Sequence, residues 1–254
     1  MGVTAKSACP LAPLSRIVSV NEGRGNWRKN WKRSTAWRIA ICVFIQWRES
    51  TLILFQITLI EAEKAASCCP LFFAKSPETG RFGLGALFGF AAGEVLVEGA
   101  NEANAAFLPC NIQRQGFFAD GTDIVVDLAA PRFAPGGTIP LFNADGTPSD
   151  EMRLIQRAVG VMVQHTPPTQ AFIEEMLRLR VIEPVDITLN FDDGAKVSLE
   201  GLYTISGDAL NALADEDILG LFRKGWLQAA LTIRGSLQQV AVLARRRNER
   251  LVGA

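Results

Sequence analysis

One histidine and one tyrosine in 254 residues are the clearest shortages in this sequence. A metal triad needing two histidines is excluded within a single chain, as is a zinc site built on several of them. A Ser-His-Asp device would depend on His165, beside Pro167 and Pro168, with no G-x-S-x-G elbow anywhere to present the serine. The expected reading of His165 is a solvent-facing linker residue. Cysteine is scarce and badly spaced for structural chemistry: Cys9, Cys42, Cys68, Cys69 and Cys110 are odd in number, two are adjacent, and none forms Cys-x-x-Cys. That pattern argues against a disulfide framework or a zinc cluster and suits a reducing compartment. No metal and no cofactor is expected. An excess of charge is missing as well: 26 Lys and Arg balance 26 Asp and Glu, so net charge gives no reason to expect a nucleic-acid partner. A long apolar run is also lacking. The best membrane candidate, Ile39 to Ile60, is split by Arg48 and Glu49 into pieces too short for a bilayer, which needs about 20 apolar residues. The first twenty residues contain no uninterrupted apolar core of a secretion signal. A chain that does not cross a membrane, in the cytoplasm, is the expectation; membrane association through residues 39–60 stays open.

What is present is unevenly placed. Arg24, Arg28, Lys29, Lys32, Arg33 and Arg38 crowd the front against Glu22 alone, interleaved with tryptophans in "NWRKNWKRSTAWR"; Arg245, Arg246, Arg247 and Arg250 crowd the end. Stacking plus charge is one way to hold single-stranded nucleic acid, but no groove-forming strands are evident nearby, and tryptophans with snorkelling arginines at a domain edge are preferred. The C-terminal cluster reads as a solvated face or frayed end. "RFGLGALFGFAAGEVLVEG", residues 81 to 99, holds five glycines. Gly83, Gly85 and Gly89 come within one residue of a dinucleotide fingerprint, which needs a strand before the turn and a helix after it. Here a polar turn precedes and a strand-like run follows, so the glycines are read as turns and close approaches of backbone. The Asp-Gly pairs at 120–121, 145–146 and 193–194 read as turns; "NADGTPSD" fails as a calcium loop because its first ligand position is Leu141.

The chain divides in character. Residues 1–58 form a poorly assigned N-terminal segment, and 248–254 a tail. Residues 59–146 are β-rich, with short apolar runs between Gly, Pro, Asn and Asp clusters, as in an antiparallel meander. Residues 147–183 predict a helix pair, the first capped by Thr147 with Pro148 at its first position, the second restarting at Thr166 with Glu174 and Arg178 paired on its polar side. Residues 185–204 predict a hairpin turning at Asp193-Gly194. Residues 206–247 predict helices: "ADEDI" suits a helix N-terminus, and Trp226, Ala230, Ile233, Leu237, Val240 and Ala244 stripe one long helix. The fold class is α+β, an antiparallel β-rich half followed by a helical half with one β-hairpin.

Five phrases occur in order: "GRFGLGALFGFAAGEVLV", "AAFLPCNIQRQGFF", "IPLFNADGTPS", "VSLEGLYTISGDALNALADEDI" and "GWLQAALTIRGSLQQVAVL". Together they resemble the bacterial SapC family, over about residues 59 to 247. The resemblance implies a Gram-negative bacterial protein linked to surface-layer or outer-membrane systems, with no established reaction or cofactor. A subunit of a peptide-transporting ABC permease shares the name, but it needs several membrane-spanning helices, and this chain shows none. The family-like positions are Phe107, Pro109, Arg114, Phe117, Leu141, Phe142, Gly146, Gly201, Leu202 and Tyr203. Most read as core or turn; the polar-tipped Arg114 and Tyr203 are the candidate binding residues, and no residue is assigned as catalytic. Before residue 59 the family pattern fades. Two functions follow as expectations: an accessory protein that engages a surface-layer or outer-membrane component, or a metal-independent enzyme, for example a peptide-modifying one, using carboxylates with Arg114. A cleft joining Arg114, Tyr203 and two carboxylates would favour the second, a convex apolar patch the first.

Overall fold

A computed structural model describes residues 16–20, 38–39, 53–76, 79–97, 107–121, 123–127, 130–133 and 137–252. The tryptophan-rich basic stretch up to Trp37, most of the split apolar segment, Cys9 and Cys42 lie outside the described residues.

The described strands are β1 (Arg16–Val20), β2 (Arg38–Ile39), β3 (Ile53–Gln56), β4 (Leu71–Lys75), β5 (Phe82–Gly89), β6 (Phe117–Asp120), β7 (Asp123–Asp127), β8 (Ile139–Pro140), β9 (Ile182–Pro184), β10 (Thr188–Asn190), β11 (Lys196–Ser198) and β12 (Leu202–Ile205). The helices are α1 (Ala62–Ala66), α2 (Cys110–Gln113), α3 (Asp150–Arg178), α4 (Gly207–Asn211), α5 (Asp215–Arg223), α6 (Trp226–Gly235) and α7 (Gln238–Val252). The class is α+β, a sheet-rich first half and a helical second half.

Two compact units interleave along the sequence, one of residues 1–43 with 113–163, the other of 44–112 with 164–254. In the first, β1, β7 and β6 form a sheet in which β1 runs parallel to β7, a departure from the all-antiparallel meander. Phe117, Ile124, Val126 and Leu141 bury against Met152, Ile155 and Val159 of α3, with Phe133 and Phe142 at the margin. The helical spacing of those three α3 residues puts them on one stripe.

The second unit is built on a five-stranded sheet ordered β3-β5-β4-β12-β9. Strands from both halves of the sequence meet in it, because β12 pairs antiparallel with β4 on one side and β9 on the other. β5 is an interior strand, between β3 and β4, and is buried from Leu84 onward, which explains its unbroken apolar run. Phe73 of β4 lies against Phe172 of α3, which meets Trp226 of α6 edge to face. Two of the three β5 glycines serve close packing: a Cβ on Gly85 would stand 2.6 Å from Leu54 Cγ, and one on Gly89 would collide with the Glu94 carbonyl oxygen, whereas one on Gly83 would meet nothing within 4 Å. The expected hairpin turn is present between β10 and β11, with Gly194 at φ 79°.

Three helix expectations change. The helix pair of 147–183 is one helix, α3, of 29 residues with Pro167 and Pro168 inside it. Two prolines each remove a helix N–H, but the carbonyls that lose their donors belong to Val163 and Gln164, which are exposed, so water replaces the bond. Thr169 then donates its hydroxyl to the His165 carbonyl, and His165 sits in mid-helix instead of a linker. Helix α3 also starts later than Thr147 suggested. Ser149 Oγ accepts from the Met152 N–H at 3.2 Å, while Thr147 is held by Asp145 in the preceding turn. Finally, the single helix expected from Trp226 divides into α6 and α7. Ser236, buried at the break, donates to the Ile233 carbonyl and accepts the Leu71 N–H at 2.9 Å, so its hydroxyl serves the sheet as well as the helix end.

Candidate functional site

Arg114 and Tyr203 fall in different units and are described separately. Arg114 follows α2 in a tight turn. Its Nη1 donates to the Phe117 carbonyl at 3.2 Å, and its guanidinium lies 5.2 Å from the centre of the exposed Phe118 ring. Burial lowers its pKa, since a desolvated cation is penalised. Beside it, Gln115 has its side-chain oxygen and nitrogen both buried, with no hydrogen-bond partner among the described residues. The neighbouring Arg132, 3% exposed, bridges this turn to α3: its guanidinium donates to the Gln113 and Gln115 carbonyls and to Glu151 Oε1 at 3.1 Å. Nothing local in the sequence marks Arg132, because its partners are backbone carbonyls and a residue of another element.

Tyr203, half-buried on β12, meets Phe82 edge to face with ring centres 5.0 Å apart; Lys75 Nζ lies 5.1 Å from the Phe82 ring and 5.5 Å from the tyrosine ring. The strand register makes this trio: Lys75 faces Phe82 across the β4–β5 pair, and Tyr203 faces Phe73 across β4–β12. Of the other family-like positions, Phe107, Phe117, Leu141 and Leu202 are buried, as is Pro109, while Phe142 is half-buried. Gly146 and Gly201 occupy turns at φ 80° and 74°.

Three of the four C-terminal arginines make contacts within the protein. Arg246 donates to the Leu96 carbonyl at 3.1 Å and Arg250 to the Val95 carbonyl at 2.6 Å. Arg247 lies 3.6 Å from Glu94 and 3.5 Å from Asp193, with its guanidinium over the Phe191 ring. Arg246, Arg247 and Arg250 fasten α7 to the segment after β5, so the cluster is not a frayed end, while Arg245 and Arg250 remain exposed on its solvated side. On α3, Arg178 pairs with Glu175 and with Asp217 of α5, whereas Glu174 pairs with Arg81. The expected Glu174–Arg178 pair is thus replaced by partners one residue along and across helices.

The densest polar chemistry lies at the two ends of the short helix α1. Glu61, 8% exposed, precedes it. One carboxylate oxygen accepts from the Thr58 N–H and hydroxyl, each at 2.8 Å, and the other accepts the Cys110 N–H at 2.8 Å. Burial, together with this carboxylate, pushes the Cys110 thiol up to about 12. After α1, Cys68 and Cys69 turn so that their sulfurs lie 3.4 Å apart. The hydrogen bond from Cys69 lowers Cys68 to about 7, against its partial burial, helped by Ser67 and by the positive charges of Arg246 and Lys64. Cys69, wholly buried, is pushed the other way by that same hydrogen bond and by desolvation.

Among the described residues no group of three or more His, Cys, Asp or Glu side chains is arranged to hold a metal ion, and no helix is long and apolar enough to cross a membrane. Comparison with curated proteins and with solved structures finds no match. The SapC family model matches residues 48–243. That span takes in the five-stranded sheet, both ends of α1, the Arg114 turn and Tyr203, and the chain belongs to the SapC family.

Proposed function

We propose that this SapC-family chain is an accessory protein that binds a protein component of a bacterial surface-layer or outer-membrane system and carries no chemistry of its own. The observation that carries the reading is the outer face of α5. Phe222 is 69% exposed and Leu219, one turn earlier, 46% exposed. Residues three apart share a face, and a phenylalanine left mostly in water next to a leucine is a surface that a partner would cover. Leu231 of the adjoining α6 is also half-exposed. The helix itself is secured independently, by Leu221 in the core and by the Asp217–Arg178 pair, so its outer face is free to be used for contact.

Mild crosslinking of the full chain in a native host, followed by identification of what it carries, tests this reading. A surface-layer or outer-membrane component should be recovered, and the double variant Phe222→Asp, Leu219→Ser should lose it while keeping its circular dichroism. Recovery of only a bound small molecule, or the same component with the double variant, overturns the proposal.

A further inference from the structure

We propose that Cys68 and Cys69 are a modification site, a vicinal thiol pair that a hydroperoxide oxidises reversibly to a disulfide, with Cys68 as the attacking sulfur and Cys69 as the resolving one. The geometry assigns the roles. Cys68 is partly exposed, so a small oxidant can reach it, whereas Cys69 is wholly buried and reachable only through its neighbour. The sulfurs are already 3.4 Å apart. The turn that holds them is tethered on both flanks: Gln239 donates to the Ser67 carbonyl at 3.4 Å and the Leu71 N–H donates to Ser236 at 2.9 Å. Cys68 and Cys69 both donate their backbone N–H to the Ala65 carbonyl, which fixes the backbone between those tethers.

The reaction balances with the peroxide as sole oxidant. The Cys68 thiolate attacks one peroxide oxygen; the O–O bond breaks, the alkoxide or hydroxide leaves and takes a proton, and the sulfur becomes a sulfenic acid. Cys69 then attacks the Cys68 sulfur. The S–S bond forms as the S–O bond breaks, and the departing hydroxide leaves as water with the Cys69 proton. Two thiols and one peroxide give one disulfide, one alcohol or water, and one water. The hydrogen bond to a charged neighbour, the largest influence holding Cys69 protonated, is weakened once Cys68 is a neutral sulfenic acid, so the first step eases the second although burial still opposes the Cys69 thiolate. Adjacent Cα atoms stand about 3.8 Å apart, below the roughly 4.4 Å minimum usual for disulfides, so the bond is strained and easily reduced. Reversibility is therefore built into the adjacency.

The test is hydrogen peroxide added at equal molarity to the reduced full-length protein, followed by peptide mapping. The peptide carrying residues 68 and 69 should lose two hydrogens and regain them with dithiothreitol, and Cys68 should react at least about tenfold faster than Cys110. Cys69→Ser, whose hydroxyl keeps a donor in place, should stop at a dimedone-reactive sulfenic acid on Cys68. Cys68→Ser should leave Cys69 unmodified. A disulfide from Cys68 to Cys9, Cys42, Cys110 or a second chain, a sulfinic acid on Cys68 of the unaltered protein, or no reaction at these two residues would each overturn the proposal.

Discussion

The two ends of α1 hold thiols of similar exposure and opposite character. Cys110, bonded to Glu61 ahead of the helix, is pushed up to about 12, and Cys68, just past its last turn, is drawn down to about 7. A helix dipole would give the reverse order, since it favours negative charge at the N-terminus and disfavours it at the C-terminus. With five residues α1 has little dipole to offer, and one carboxylate or one donated hydrogen bond at contact distance outweighs it. Partial burial penalises both thiolates. At Cys110 burial is the larger influence and the carboxylate adds to it, whereas at Cys68 a donating thiol outweighs burial, with Ser67 and two cations helping.

The largest consequence is a difference in reactivity. At pH 7 the thiolate populations differ by about five powers of ten, and the lower intrinsic nucleophilicity of the more acidic thiol returns about two of them. Iodoacetamide should therefore label Cys68 a few hundredfold faster than Cys110, read by peptide mapping over time. Equal rates would mean that the neighbours do not set the difference.

Removing the first-named cause at Cys68 comes next. Cys69→Ala takes away the donated hydrogen bond while Arg246 and Lys64 remain. The half-point of the Cys68 alkylation profile should move up from about 7 toward the ordinary thiol value of about 8.5, slowing labelling at pH 7 by about threefold once the greater nucleophilicity of the less acidic thiol is counted. The sign follows from the direction of the shift: a stabilised thiolate loses its partner, so a higher pH is needed to form it. An unmoved half-point would assign the effect to the cations instead.

How much of this contrast can be read in the sequence depends on distance along the chain. Thr58-Leu59-Ile60-Glu61 has the spacing of a capping box, with Thr58 and Glu61 three apart before a helix, and both halves of that box are formed. The adjacency of Cys68 and Cys69 is equally plain. The tight turn at Asp193-Gly194 is a local matter and is found where its residues place it. By contrast, the Cys110 N–H that Glu61 binds and the Arg246 that faces Cys68 come from elements remote in the chain, and no local pattern joins them. The same limit hides Arg132, whose partners are carbonyls of another turn, and the joining of β12 to β4. Pro167 and Pro168 mislead for a different reason. A local rule against proline in helices is overridden where the orphaned carbonyls face water.

At the other end of the helix, Glu61→Gln removes the charge and keeps one acceptor oxygen for Thr58 or for Cys110, setting an NH2 donor against the other. Cys110 should fall toward the ordinary thiol range yet stay above it, because burial, its largest cause, is unchanged. One set of hydrogen bonds becomes neutral and the other loses its acceptor, which costs about 1–3 kcal/mol in a urea titration. A Cys110 that stays at its unaltered half-point would show that desolvation alone raises it, and the contrast would then owe nothing to the carboxylate.

The smallest effect belongs to the cations. Arg246 donates to the Leu96 carbonyl as well as acting on Cys68, so its guanidinium is held in place rather than sampling water. Lys64 is exposed, and salt screens it within about 10 Å at 0.1 M. Arg246→Gln, which still presents a donor to Leu96, should raise the Cys68 half-point by about half a unit, and added salt should then remove what Lys64 contributes. If the Arg246→Gln half-point is unmoved at both low and high salt, the acidity of Cys68 rests on Cys69 and Ser67 alone. The comparison with Cys110 would then be one between a donated hydrogen bond and a carboxylate, with no role for the C-terminal helix beyond fastening the segment after β5.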